Sequence, residues 1–443
     1  MDPAIEQALP DNVSLANLTD SLAGEPGFVS LFHPLGRFYT AWPERSWTLP
    51  ATASQADQAI KDATDYYHRQ LAEPQSSGNA TPFCGGLAGV LNYELGDYTV
   101  AGFHTSKPTD SVGWIGAYSW ALFVPHDGQA ASIRIHPACP AGTRAKIDGK
   151  LRDRVRCSAK STPEPFAITS PFHPVRTNQD YLSSVNRILD YIDAGDCYQV
   201  NLSRQLEGRY RGSPWQAWRA LCEEIPVPYA AYLNTGSSWV LSVSPEQFLQ
   251  IEGQRVSSKP IKGTRPRSPD PAEDQRLKEE LLSHPKDRAE NLMIVDLIRN
   301  DLSRFCEAGS VRVPKMFGIE SYRNVHQLVS RVTGNLKSGV SPLDALLSAF
   351  PGGSITGAPK RRAMEIIDEL EAHSRDAYCG SAFFLDQNGM LDSSIAIRTL
   401  QAWPDGRIQC WGGGGIVADS SPQEELRETE FKVRRMMDIL ENL

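Results

Sequence analysis

Apolar positions in the later two-thirds of the chain recur with two different periods. Across residues 179–194, Tyr181, Val185, Ile188, Leu189 and Ile192 return every three or four places, one face of a helix, and Gly195 closes the segment. The same spacing predicts a long helix over 287–305 with Leu292, Val295, Ile298 and Leu302 on one side. It also predicts helices over 342–349, 360–371 and 423–440. Runs rich in β-formers over 229–233, 239–243, 248–251, 378–385, 394–403 and 408–411 predict strands. Earlier in the chain, 112–124 reads as strand and 54–71 as a polar helix. Strands come in runs rather than in strict alternation with helices. The expected class is therefore α+β (α/β in content), with large, mostly antiparallel sheets flanked by helices, and not a Rossmann or TIM arrangement.

Four prolines among small polar residues in 158–174 predict a linker or long surface loop. It separates a first region, 1–165, which holds many aromatics but no local cluster of obvious chemistry, from a second, 170–443, which holds the legible motifs. A length of 443 residues allows two or three domains of about 150 residues, or one large interleaved unit.

Charge removes some classes of function. With 45 Lys+Arg against 53 Asp+Glu, the net charge of −8 argues against a protein whose main work is binding nucleic acid. Eight cysteines stand singly with no CxxC pair, so neither a zinc ribbon nor a disulfide framework is expected. The N-terminus lacks a basic-then-apolar signal pattern, and the longest uncharged apolar run, 111–125, is shorter than the ~20 residues of a membrane span. The expected location is the cytoplasm.

Several clusters carry candidate chemistry. The segment 351–360, PGGSITGAPK, has P-loop-like glycine spacing, but Ala358 and Pro359 stand where Lys and Ser/Thr are required, so a nucleotide triphosphate site is rejected. Its turn leads into a helix whose backbone N–H groups suit a carboxylate. A second glycine-rich turn, 411–416, follows a strand and lets a ligand approach the backbone closely. Asp287 with Glu290, and Glu425 with Glu428, lie at i and i+3 on two helices; two such faces meeting would suit a hard cation such as Mg²⁺, and two solvated helix faces are the plain alternative. Lys432 lies one turn beyond Glu428. Lys262 sits between Pro260, Ile261 and Gly263, where desolvation would make an amine nucleophilic; most lysines in such loops are simply exposed. Glu246 and His326 are isolated candidates for proton transfer.

The segments YQVNLSR (198–204), SPEQF (244–248), PIKGTRPR (260–267), DRAENLMIVDLIRNDL (287–302), FPGGSITGAPKRRAMEIIDELE (350–371), YCGSAFF (378–384), AIRTL (396–400) and GGGGIVADSSPQEELRETEFK (412–432) together resemble the chorismate-utilising enzymes, in family order. The first region is similar, more weakly, to the variable N-terminal region of the family's component I proteins. The resemblance implies a single interleaved fold, chorismate as substrate, and Mg²⁺ held by Glu290 and Glu428 with Glu425 and Asp287 behind them. It implies that Arg398, Lys432, Gly414, Gly415 and the Ser354, Thr356, Gly357 turn bind carboxylates or frame the pocket, that Thr264 and Tyr378 contact substrate, and that His326 is the family's active-site histidine.

Two positions choose a reaction within the family. Members that add water to chorismate are similar to one another in having a lysine base where this chain has Gln199. Most relatives have alanine where this chain has Lys262; a lysine there resembles the members that aminate C4. The implied mechanism adds Lys262 at C2 of chorismate while Glu246 protonates the departing C4 hydroxyl, and ammonia then displaces the lysine. No Gly-x-Cys-x-Gly turn occurs, so a separate glutaminase subunit is the expected ammonia source. The rivals are amination at C2, giving anthranilate, and a catalytically silent ligand-binding subunit.

Overall fold

The computed structural model describes residues 4–10, 12–73, 82–156 and 164–443. Two antiparallel sheets of twelve and ten strands carry the architecture. Strands from the first third of the chain enter both. Val29–His33 pairs with Tyr229–Asn234 in the larger sheet, and Gly86–Leu91 pairs with Ser381–Asp386 in the smaller. One apolar cluster, with Leu31, Phe38 and Ala231 from one sheet and Val90, Trp114 and Phe384 from the other, fills the space between them. Helices cover the outer faces through two further clusters. Burial on both faces explains why strands such as Val29–His33 and Ser381–Asp386 lack polar alternation and are buried at every residue. Among the described residues, no helix is long and apolar enough to cross a membrane.

Four expectations need correction. In the expected linker, 158–163 lies outside the described residues, and Ala167–Pro174 is a strand against Gln199–Arg211. The expected strand over 394–403 is two strands, Leu391–Ser394 and Thr399–Ala402, with an irregular bend between them where Arg398 takes φ 51°. Leu292 is half exposed, because the buried stripe of Pro285–Phe305 runs through Asn291, Ile294, Val295 and Ile298 instead.

The fourth concerns the glycine run. Residues 412–415 are not a turn: they lie inside Arg407–Ile416, each paired with Gln199–Arg211. Glycine normally weakens a strand, so the gain must come from what approaches it. A Cβ on Gly412 would lie 2.3 Å from the Thr429 carbonyl of the terminal helix, Pro422–Glu441. On Gly413 it would meet the Tyr378 hydroxyl at 2.7 Å, on Gly414 the Glu425 carboxylate at 2.9 Å, and on Gly415 the Gln199 amide at 2.9 Å. The run lets a helix and three polar side chains close onto bare backbone.

Candidate active site

Beside that glycine strand is a cavity of about 420 Å³. One wall is the strand itself with Trp411, whose ring is stacked on Tyr378 at 5.9 Å and 6°. Ser354 and Ile355 of the turn before Lys360–Leu370 form another wall, and Glu246 and Lys262 a third. Glu290 and Lys286 reach in from Pro285–Phe305, and Glu425, Glu428 and Lys432 from the terminal helix. A larger opening of about 1060 Å³ lies along Pro285–Phe305, lined by Leu292, Met293 and Leu297, but its buried charges, Lys360 and Asp301, are already paired at 2.9 Å. The smaller cavity holds the unspent chemistry.

Cations and carboxylates are interleaved there. Lys432 Nζ binds Glu428 Oε1 at 2.6 Å and donates to the Gly413 carbonyl at 2.8 Å. Burial works against ionisation of Glu428, yet Lys432, with Lys262 and Lys286, holds its carboxyl below the usual range. Burial raises Glu290 and Glu425 instead. Glu425 Oε1 accepts from Ser420 Oγ at 2.6 Å, while its Oε2 is buried without a partner. Asp287 is occupied by Arg265 and His284, both at 3.1 Å, so it sits behind the others.

Lys262 lies on Ile261–Pro266, and no carboxylate among the described residues comes within ion-pair distance of its ammonium. Gly263, at φ 81°, makes the turn that aims it; a Cβ there would collide with Asp287 at 2.9 Å. Glu246 is buried. Burial pushes its carboxyl up to about 7, although Lys262, a hydrogen bond from Ser354 and the Ile261 backbone oppose the shift. Arg398 lines the cavity with no ion-pair partner among the described residues, and burial lowers its pKa.

Thr264, Gly415 and the residues named above therefore share one cavity, and four expected residues do not line it. Strand alternation on Val325–Asn335 turns Gln327 inward and His326 away; His326 is fully buried between Ser321 Oγ at 2.8 Å and Asp274 Oδ1 at 2.9 Å. Thr356 closes its own turn by donating to the Gly352 carbonyl at 3.0 Å. Gly357, at φ 148°, is needed because a Cβ would strike the Gln199 carbonyl at 2.1 Å. Gly414 leaves room for Glu425 rather than for a ligand. Conversely, Asn201, Gln327 and Trp411 line the cavity unforeseen, and Asn201 Oδ1, Gln327 Oε1 and Trp411 Nε1 are buried without partners. All three lie on strands, where alternation gives the side a residue faces only once the pairing register is known.

No three His, Cys, Asp or Glu side chains among the described residues are gathered closely enough to cage a metal by themselves. The unpartnered Glu425 oxygen above Gly414, with Glu290 and Glu428 alongside, nevertheless suits an open carboxylate site of the kind Mg²⁺ uses, completed by waters and substrate oxygens.

The cavity of mixed carboxylates and cations lies between elements of the two antiparallel sheets, and residues 34–438 match the family model for chorismate binding enzymes. The chain belongs to that family. It is 42% identical over 388 residues to aminodeoxychorismate synthase component 1 of Klebsiella aerogenes, covering 86% of this chain and 83% of that one. It is 38% identical over 383 residues to anthranilate synthase component 1 of Thermus thermophilus, covering 85% and 81%. The crystal structure of anthranilate synthase component I from Streptococcus pneumoniae TIGR4 superposes with a TM-score of 0.74 at 26% identity, over 98% of this chain and 100% of that one.

Proposed function

We propose that the protein aminates chorismate at C4, converting chorismate and ammonia to 4-amino-4-deoxychorismate and water, the step that leads to 4-aminobenzoate and folate. The observation that carries this reading is the pairing, in one cavity, of unpaired Lys262 with a buried Glu246 whose carboxyl titrates at about 7.

The Lys262 amine attacks C2, the two ring double bonds shift, and the C4–O bond breaks. Hydroxide leaves poorly, so protonated Glu246 donates its proton and water departs. Ammonia then attacks C4, the double bonds shift back, and the C2–N bond breaks, returning the lysine amine; the extra proton on the new ammonium returns to Glu246. Two allylic substitutions replace one difficult displacement. Arg398 and Lys432 offer positive charge to the substrate's carboxylates. Glu290 and Glu428, with Glu425 behind, would hold Mg²⁺, which when bound supplies a positive anchor for a carboxylate. Gln199, buried against Gly415, supplies no base for activating water.

Ammonia comes from a glutaminase partner. The reaction is cytoplasmic, in keeping with seven described cysteines that are all unpaired. Incubation with chorismate, Mg²⁺ and ammonium chloride, followed by chromatography, is expected to yield 4-amino-4-deoxychorismate. Anthranilate as the main product would overturn the choice of C4.

A further inference from the structure

Behind the cavity, outside its lining, lies a fully buried ion pair. Arg375 binds Glu371 in a fork, Nε to Oε2 at 2.9 Å and a terminal nitrogen to Oε1 at 2.6 Å. Its remaining donors reach two backbone carbonyls, Ile355 at 3.0 Å and Asn201 at 2.7 Å. Glu371 Oε1 also accepts from the Ser203 N–H and hydroxyl, at 2.7 and 2.8 Å. The guanidinium lies over the Tyr93 ring at 4.6 Å, and Glu94 accepts the Arg375 N–H at 2.7 Å.

The pair joins what the cavity needs held apart. Ile355 belongs to the turn whose neighbour Ser354 lines the cavity together with Glu246; Asn201 lies on the strand facing it and offers an unpartnered oxygen inward. A direct bond, Asn201 N to the Thr356 carbonyl at 2.8 Å, links the two walls once more. Buried ion pairs seldom stabilise more than apolar replacements of like volume, so stability is a weak reason for keeping this one. Geometry is a better reason: one rigid fork sets both carbonyls at once.

We propose that Arg375, held by Glu371, is a positioning residue that sets the spacing of the Ser354–Ile355 turn and the Asn201 strand, and through Ser354 places Glu246 for proton donation. This rests on the function proposed above. Lysine at 375 keeps the charge but not the fork. The Ser354 hydroxyl beside Glu246 lowers its pKa, so slackening the turn raises it. The charged and titratable groups that face Glu246 are Lys262, Lys432 and the Cys379 thiol, and all are retained.

The test measures kcat, KM for chorismate, the pH profile at constant free ammonia, and thermal melting for wild type, Arg375→Lys and the apolar double variant Arg375→Met/Glu371→Leu. The expected result is folded protein with kcat lowered about 10- to 100-fold, a smaller change in KM, and the alkaline limb moved to higher pH. A folded variant of either kind with wild-type kcat and an unmoved limb would overturn the proposal. Should the double variant fail to fold, Arg375→Lys decides alone. The wild-type product separately tests the function: anthranilate there defeats C4 amination, while the variants still report whether amination in this cavity depends on Arg375.

Discussion

Lys262 and Glu246 carry the sharpest residue-scale expectations. Removing the amine removes the covalent route but no core packing, since Lys262 is only half buried. Lys262→Ala is expected to keep its melting temperature within a few degrees and lose at least about 100-fold in ammonia-dependent turnover; near-normal turnover would refute the covalent step. Glu246 has a pKa raised on folding from the ordinary carboxyl value to about 7, so the native state holds its proton more tightly than the unfolded state does. Its penalty is absent at acid pH, grows as pH climbs through the carboxyl range, and is complete above about 7. A shift of that size corresponds to about 3 kcal/mol. Glu246→Gln is therefore expected to melt higher than wild type at pH 8 and alike at pH 4, while losing the acid that protonates the leaving hydroxyl. Equal melting at both pH values would show that Glu246 is not buried as a carboxylic acid. Both residues were legible in the sequence because each sits inside a contiguous motif. Arg375 and Glu371 were not, because their partners Ile355, Asn201 and Ser203 are distant in the chain and nothing local marks the contact.

The glycine strand and the terminal helix form the element that most changed between sequence and structure. Read locally, four glycines predict a turn, since glycine costs a strand both entropy and side-chain packing. Tertiary approach reverses that reading, and the four positions are not equivalent. At Gly412 the obstacle is backbone, the Thr429 carbonyl at 2.3 Å, so Gly412→Ala must push helix from strand and is expected to cost about 1–3 kcal/mol. At Gly414 the obstacle is the end of a flexible side chain, the Glu425 carboxylate. Gly414→Ala is expected to fold normally while raising the Mg²⁺ concentration needed for half-maximal turnover several-fold. Magnesium titration and thermal melting of the two variants separate the roles; a Gly414→Ala enzyme with wild-type Mg²⁺ dependence would show that Glu425 plays no part in the proposed Mg²⁺ site. Helix boundaries were largely readable, because 3.6-residue periodicity survives on Pro285–Phe305 and Pro422–Glu441. The direction of His326 was not, because a strand residue's side depends on a register the sequence does not display.

At the scale of the whole molecule, the interleaving of early and late strands makes one scaffold around the polar cavity, and among the described residues no cysteine is set up to release ammonia from glutamine. A glutaminase works through an activated thiol, which needs a lowered pKa and access to solvent. The described cysteines show the reverse. Burial pushes Cys84 and Cys379 up to about 12 and Cys222 and Cys306 up to about 11, raises Cys139, Cys197 and Cys410 as well, and only Cys222 among the seven is not fully buried. The seven described cysteines therefore offer no glutaminase nucleophile, in line with the proposed supply of nitrogen as ammonia or through a partner. The chain alone is expected to turn over with ammonium chloride, at a rate that rises with the free ammonia fraction until Glu246 deprotonates, and to give under about 1% of that rate with glutamine. Adding the proposed glutaminase partner is expected to give glutamine-dependent turnover, and alkylating this chain's thiols beforehand is expected to leave that turnover intact. Glutamine-dependent turnover by the chain alone, abolished by alkylation, would place the missing thiol chemistry within this chain and overturn the two-subunit reading.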